Sequence, residues 1–113
     1  MYRVLIADDE YIIREGIKCL FDWDSLGYTI AGEAANGETA YQQILALQPD
    51  IVLLDIRMPG MSGLDVIREA RAQGFTGKVI ILSGYSDFKY AQEAIRYGVQ
   101  YYLTKPIDED ELE

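Results

Sequence analysis

The sequence predicts an α/β domain built on a doubly wound parallel sheet, and two observations support this fold class. Three short apolar runs, at residues 4–7, 51–54 and 79–82, are unbroken rather than alternating, as in strands that are covered on both faces. The segments between these runs have apolar residues at helical spacing. Short connections and right-handed crossovers then favour one layer of parallel strands with helices on both faces.

Strands and helices alternate along the whole chain. The predicted strands cover residues 4–7, 28–34, 51–54, 79–82 and 99–103. The predicted helices cover residues 12–20, 38–48, 63–73 and 87–97, and a fifth helix has just begun at the chain end. Asp9 is placed to cap the first helix, Pro49 closes the second, and Gly98 ends the fourth.

The composition excludes several classes of site. A chain of 113 residues forms one domain, and without histidine it lacks Ser-His-Asp and Cys-His catalysis and His-ligated zinc or haem. One cysteine, no signal peptide and no membrane span predict a cytoplasmic protein. The net charge of −9 argues against nucleic-acid binding by this domain and favours cations or basic partner surfaces.

Polar side chains follow the predicted strands, at the edge where doubly wound sheets bind ligands. In chain order these residues are Asp8, Asp9, Asp55, Ser83, Thr104 and Lys105. Three carboxylates close together would repel one another unless a cation joined them, and oxygen ligands without His or Cys select Mg²⁺ or Mn²⁺. The metal and Lys105 would offset the three negative charges, so the cluster could accept a phosphoryl group.

Asp55 is the predicted nucleophile, because a carboxylate can form an acyl phosphate. A chain without histidine would need a phosphohistidine donor on another protein. Each residue also has an ordinary structural explanation: Asp9 as a helix cap, Asp55 as a strand end, Ser83 as part of a turn, and Lys105 as part of a break before a helix. The functional interpretation is preferred because it explains all four at one edge of one sheet.

The chain resembles the receiver domain of two-component response regulators. The matching features are Asp8-Asp9, Asp55 within LLDIRMPGMSG, Ser83-Gly84 and YLTKP ending at Pro106. The resemblance extends over one domain, from Tyr2 to the chain end. It implies a flavodoxin-like fold with strand order 2-1-3-4-5 and helices on both faces of the sheet.

The resemblance also implies how the phosphoryl and metal sites are built. Asp55 would be the phosphoacceptor for a sensor histidine kinase, in a Mg²⁺-dependent reaction. Asp8 and Asp9 would hold the metal, and the backbone carbonyl of Arg57 would complete the metal shell. Lys105 would pair with the phosphoryl oxygens. Such a domain is not an enzyme in the usual sense, since it catalyses only its own phosphorylation and dephosphorylation.

A further implication of the resemblance is a switch formed by Ser83 and Tyr102. The hydroxyl would move to the phosphate and the aromatic ring would turn inward behind it. The surface of the fourth helix, fifth strand and fifth helix would then change and control an output. The predicted fourth helix has a wide apolar arc that includes Tyr90 and Tyr97. This arc predicts a partner or homodimer surface on the face of the fourth helix and fifth strand. The segment from Ser83 to Ile107 particularly resembles receivers coupled to AraC-type DNA-binding domains.

The chain ends at Glu113, about one turn into the fifth helix. We therefore expect a shortened receiver that lacks most of this helix and any output domain, and whose exposed flank promotes association. Two alternatives stay open: a stand-alone phosphorelay or chemotaxis-type receiver, and a phosphatase of the haloacid-dehalogenase type that phosphorylates an aspartate. The phosphatase needs D-x-D after its first strand, and Asp8-Asp9-Glu10 lacks that spacing.

Overall fold

The computed structural model describes residues 2–20, 22–83 and 101–104, which contain five strands and three helices. The strands are β1 (Tyr2–Ala7), β2 (Tyr28–Ala34), β3 (Ile51–Asp55), β4 (Lys78–Ser83) and β5 (Tyr101–Thr104). The helices are α1 (Tyr11–Leu20), α2 (Gly37–Leu47) and α3 (Gly63–Ala72). The predicted fourth and fifth helices lie outside the described residues. Within the described ranges, no helix is long and apolar enough to cross a membrane.

The five strands form one parallel sheet in the order β2-β1-β3-β4-β5, which confirms the predicted fold class and strand order. β1 and β3 lie side by side at its centre, with Ala7 opposite Leu54. The residues that follow this pair, Asp8 and Asp55, therefore leave the sheet at the same edge. β1 also pairs with β2, where the register shifts between Val4 and Leu5.

Alternating strand residues pack on opposite faces of the sheet. Val4 and Ile6 belong to the apolar cluster on the α1 side, together with Ile17 of that helix. Leu5 belongs to the cluster on the other side, to which α2 contributes Ile44. Both faces of the central strands are therefore covered, as their unbroken apolar runs predicted.

The helix starts follow local capping chemistry. The side chain of Asn36 accepts a hydrogen bond from the backbone N–H of Thr39 and so caps α2. Ser62 and Asp65 form a reciprocal capping box at the start of α3. The prediction of an Asp9 cap for α1 is wrong, because the carbonyl of Glu10 accepts the first helical bonds. Asp9 thus lies one residue outside the cap position, in the turn between β1 and α1.

Candidate metal centre

Three carboxylates meet at the carboxyl edge of the sheet. Asp8, Asp9 and Asp55 each offer an oxygen atom, and these atoms all lie within 4.8 Å of one another. Asp8 is 0% exposed and Asp55 is 4% exposed, whereas Asp9 faces solvent. Carboxylates this close repel one another, and burial increases the repulsion. An all-oxygen donor set with one solvent-facing member fits a hard divalent cation such as Mg²⁺.

The orientation of Asp8 is fixed by hydrogen bonds from three directions. Its backbone N–H donates to the carbonyl of Ala34 at the end of β2, over 3.0 Å. Its Oδ1 atom accepts from the backbone N–H of Glu10 at 2.9 Å. Its backbone carbonyl accepts from Nη1 of Arg14 at 2.6 Å. The residue is therefore anchored to β2, to its own turn and to the first helix.

Arg14 belongs to a charge network between α1 and β2. Its Nε atom lies 3.2 Å from Oε1 of Glu33, and Nζ of Lys18 lies 2.8 Å from the other oxygen of that carboxylate. The hydrogen bond from Lys18 holds the pKa of Glu33 below its ordinary value, against the opposing effect of partial burial. Hydrogen bonds to Glu15 and Glu33 raise the pKa of Lys18 above its ordinary value. Both pKa shifts favour the charged forms of Glu33 and Lys18.

Sequence reasoning missed this network. Arg14 and Lys18 are four residues apart on the helix that follows Asp8-Asp9-Glu10. This spacing was the signal available in the sequence. Glu33 lies in a strand whose contacts with α1 depend on sheet register, which the sequence pattern does not show.

The loop after Asp55 packs tightly against that residue. The backbone N–H of Gly63 donates to the carbonyl of Ile56 at 2.7 Å. A Cβ atom at Gly63 would collide with the carbonyl oxygen of Asp55, so glycine is required for α3 to begin this close to the strand end. Gly60 adopts a left-handed φ of 76°, which closes the turn before the helix. The MPGMSG part of the motif therefore serves the loop geometry beside the carboxylates.

A cleft of about 470 Å³ opens beside the three acids. It is lined by Asp9, Ile56, Arg57, Met58, Pro59 and Ser62. Asp9 from the turn after β1 and Arg57 from the loop after β3 thus face one space. The structure brings four of the predicted site residues together: the three carboxylates and Arg57.

The remaining predicted site residues follow β4 and β5. Ser83 is the last residue of β4 and pairs with Thr104, and Tyr102 pairs with Ile81. Asp55 pairs with Leu82, so the backbone of Ser83 lies at the same edge as the acids. The side chains of Ser83 and Tyr102 lie outside the described part of the structure. Lys105 lies outside the described residues.

A family model described as the response regulator receiver domain matches residues 4–113. The chain belongs to this family. This membership confirms the resemblance to the receiver domains of response regulators.

The receiver domain has close relatives among transcriptional regulators. It is 46% identical over 112 residues to the uncharacterized transcriptional regulatory protein YesN of Bacillus subtilis, covering 99% of this chain and 30% of YesN. It is 43% identical to the REC domain of AraT, a response regulator from Geobacillus stearothermophilus, with a TM-score of 0.92 and coverage of 98% of this chain and 86% of that chain. The chain thus spans less than a third of the length of YesN.

A more distant neighbour comes from the CheX-CheY-BeF3-Mg²⁺ complex of Borrelia burgdorferi. That chain is 27% identical, with a TM-score of 0.87 and coverage of 98% of this chain and 83% of that chain. The fold of this chain is therefore shared with a protein of that complex at lower sequence identity.

Proposed function

We propose that Asp55 is the phosphoacceptor of this receiver domain and that the donor is a phosphohistidine on a sensor histidine kinase. The observation that carries the proposal is the position of Asp55, which is 4% exposed and has carboxylate oxygens of Asp8 and Asp9 within 4.8 Å. An oxygen of Asp55 bonds to phosphorus as the bond from phosphorus to the donor nitrogen breaks. The donor imidazole leaves with that electron pair.

The three carboxylates would hold Mg²⁺ or Mn²⁺, with the backbone carbonyl of Arg57 as a further ligand. A bound divalent cation would supply positive charge that offsets the phosphoryl oxygens and the acids. The support is the donor set: the clustered atoms are all carboxylate oxygens, and the chain contains no histidine. Arg57 lines the same cleft as Asp9, which agrees with a role beside the metal. Asp8 and Asp9 would orient the cation, and Asp55 would also carry the phosphoryl group.

Lys105, Ser83 and Tyr102 complete the proposed site. Lys105 follows Thr104, whose pairing with Ser83 aligns the ends of β4 and β5. The ammonium group would pair with phosphoryl oxygens, and the Ser83 hydroxyl would bond to the phosphate while Tyr102 fills the vacated space. This local change would alter the surface formed by the fourth helix, β5 and the fifth helix.

The output proposed for the whole protein is transcription. The name of YesN describes a transcriptional regulator, and this chain spans only 30% of its length. In the whole protein, an AraC-type DNA-binding domain would supply this output, so the receiver itself would not bind nucleic acid. The face of the fourth helix and β5 would mediate a homodimer. The single cysteine, Cys19, is exposed, which suits a reducing cytoplasm.

Labelling with acetyl phosphate tests the phosphoacceptor. With Mg²⁺, we expect mass spectrometry to show one added phosphoryl group on the wild type and none on Asp55→Asn. Asp50→Asn is the matched control, because Asp50 precedes the same strand at its opposite end. Labelling should also stop when EDTA removes the metal. An unmodified wild type would contradict the proposal, and steady turnover of a phosphate ester would favour the phosphatase instead.

A further inference from the structure

We infer that Arg14 is a positioning residue that holds Asp8 in place for metal binding. Its guanidinium group fixes the backbone carbonyl of Asp8 and thereby the turn that carries Asp8 and Asp9. The inference rests on the proposed function, because it requires a divalent cation at the three carboxylates. It assigns a role in the metal site to a residue that touches no metal.

The contacts of Arg14 define its orientation. Nη1 lies 2.6 Å from the Asp8 carbonyl oxygen, and Nε lies 3.2 Å from Oε1 of Glu33. Because the guanidinium group is planar, these two donors fix the orientation of its plane. The guanidinium group also lies over the Tyr11 ring, with Cζ of Arg14 5.6 Å from the ring centroid. The Arg14 side chain is 14% exposed, so it is held within the protein rather than extended into solvent.

Glu33 in turn anchors Arg14 to the sheet. Its second carboxylate oxygen accepts from Nζ of Lys18 at 2.8 Å, so the carboxylate lies between two cations of α1, of which only Arg14 also bonds to Asp8. The next residue, Ala34, accepts the backbone N–H of Asp8. The end of β2 therefore holds Asp8 by two routes, one direct and one through Arg14. Groups that orient metal ligands in this way contribute strongly to metal affinity.

Positioning and simple electrostatics predict opposite effects of removing Arg14. A guanidinium group bonded to the Asp8 backbone is a positive charge near the metal site, and it repels a second cation. If charge alone mattered, its removal would tighten Mg²⁺ binding. If Arg14 positions Asp8, its removal should weaken Mg²⁺ binding by about 10-fold, the lower end of the effect for outer-shell partners. The sign of the change therefore separates the two explanations.

Isothermal titration calorimetry with MgCl₂ on the unphosphorylated protein measures this sign. We expect weaker binding for both Arg14→Met and Arg14→Lys. Arg14→Lys retains the charge but cannot donate two bonds in one plane, so its loss of affinity reports geometry alone. Lys18→Met is the matched control, since it removes a cation from the same Glu33 carboxylate without the Asp8 contact. Its Kd should stay within about two-fold of the wild type or become tighter.

Thermal unfolding in EDTA identifies any loss of fold, so that Kd values are compared only among folded proteins. If Arg14→Met does not fold, Arg14→Lys carries the test. Wild-type Kd values in both folded Arg14 variants, or tighter binding, would overturn the inference and leave the proposed function intact. A wild type that binds no Mg²⁺ and takes no label at Asp55 would instead overturn the proposed function, and this inference with it.

Discussion

An aspartate lies at each end of β3, and the two aspartates have different surroundings. Asp50, just before the strand, is exposed, and its Oδ2 atom accepts the backbone N–H of Arg3 at 2.7 Å. Its backbone also bonds to the carbonyl of Arg3 and the N–H of Lys78, each over 2.9 Å. Asp55, at the other end, is buried close to two other carboxylates. One aspartate joins β1, β3 and β4, and the other is crowded by like charge.

This difference separates an acid that serves the fold from an acid that we propose serves a ligand. The hydrogen bonds that Asp50 makes with Arg3 and Lys78 stabilise the fold without a bound ligand. The three carboxylates at the Asp55 end repel one another, and a bound cation would offset that repulsion, so their proximity points to a ligand rather than to folding. Sites that violate local rules of stability are where function is expected. Three predictions test this contrast and a fourth tests the charge network beside it, and they are given from the largest expected effect to the smallest.

Magnesium should stabilise the protein through the Asp55 end only. At a free Mg²⁺ concentration of about 100 times Kd, the unfolding free energy should rise by about 2.7 kcal/mol. Asp55→Asn should lose most of this gain, whereas Asp50→Asn should keep it. Urea unfolding with and without Mg²⁺ measures the difference. Equal gains in the two variants would show that the metal binds elsewhere.

Each end of β3 also has a glycine packed against neighbouring backbone. A Cβ atom at Gly63 would collide with the Asp55 carbonyl, and one at Gly77 would collide with the Pro49 carbonyl. We expect Gly63→Ala and Gly77→Ala each to lower the unfolding free energy by about 2 kcal/mol. Only Gly63→Ala should also slow labelling of Asp55. The prediction fails if both variants label at the wild-type rate while folded.

Substitution of Asp50 and of Asp55 should change the unfolding free energy of the metal-free protein in opposite directions. Asp50→Ala breaks the bond to Arg3 and should lower the unfolding free energy by about 1 kcal/mol. Asp55→Asn relieves repulsion within the cluster and should raise it by about 1 kcal/mol. Urea unfolding in EDTA checks both values. Changes of the same sign would contradict the contrast between the two ends of the strand.

The smallest expected effect is the pH dependence from Glu33. Its pKa lies below the ordinary value because Lys18 donates to it, so its contribution to stability is complete above that ordinary value. The contribution is lost as pH falls through the folded-state pKa. The stability difference between wild type and Glu33→Gln, a few tenths of a kcal/mol at pH 7 for this partly exposed group, should therefore shrink as pH falls below the ordinary glutamate pKa. In a Lys18→Met background, Glu33→Gln should cause a smaller change in the unfolding free energy.

The acidic cluster could be predicted from sequence because it depends on few facts. Unbroken apolar runs indicate parallel strands, and parallel strands bring their carboxyl ends to one edge. Asp8 and Asp55 directly follow such runs, so their proximity needs no knowledge of side-chain packing. The motif resemblance then identified the family. The roles of the individual site residues, including Lys105, Ser83 and Tyr102, stay predictions.

The Arg14 network could not be predicted in the same way. Arg14 and Glu33 are 19 positions apart, on elements whose relative rotation depends on tertiary packing. The Asp9 cap was wrong for a related reason. Aspartate is a preferred cap by residue type, but the turn after β1 places Glu10 in that position and leaves Asp9 facing the cleft.

The register shift between β1 and β2 decides which side of the sheet Glu33 occupies. Val4 pairs with Ile30 and Leu5 pairs with Gly32, so Ala31 is an extra residue without a partner in the pairing. Strand residues alternate between faces, and one inserted residue reverses every later position. If Ala31 were paired in a regular, unbulged β2, Glu33 would face the apolar layer of α2 and α3. A single-residue bulge thus gives Arg14 and Lys18 their carboxylate, and a regular β2 of the same sequence would lose both salt bridges while every proposed metal ligand stayed in the chain.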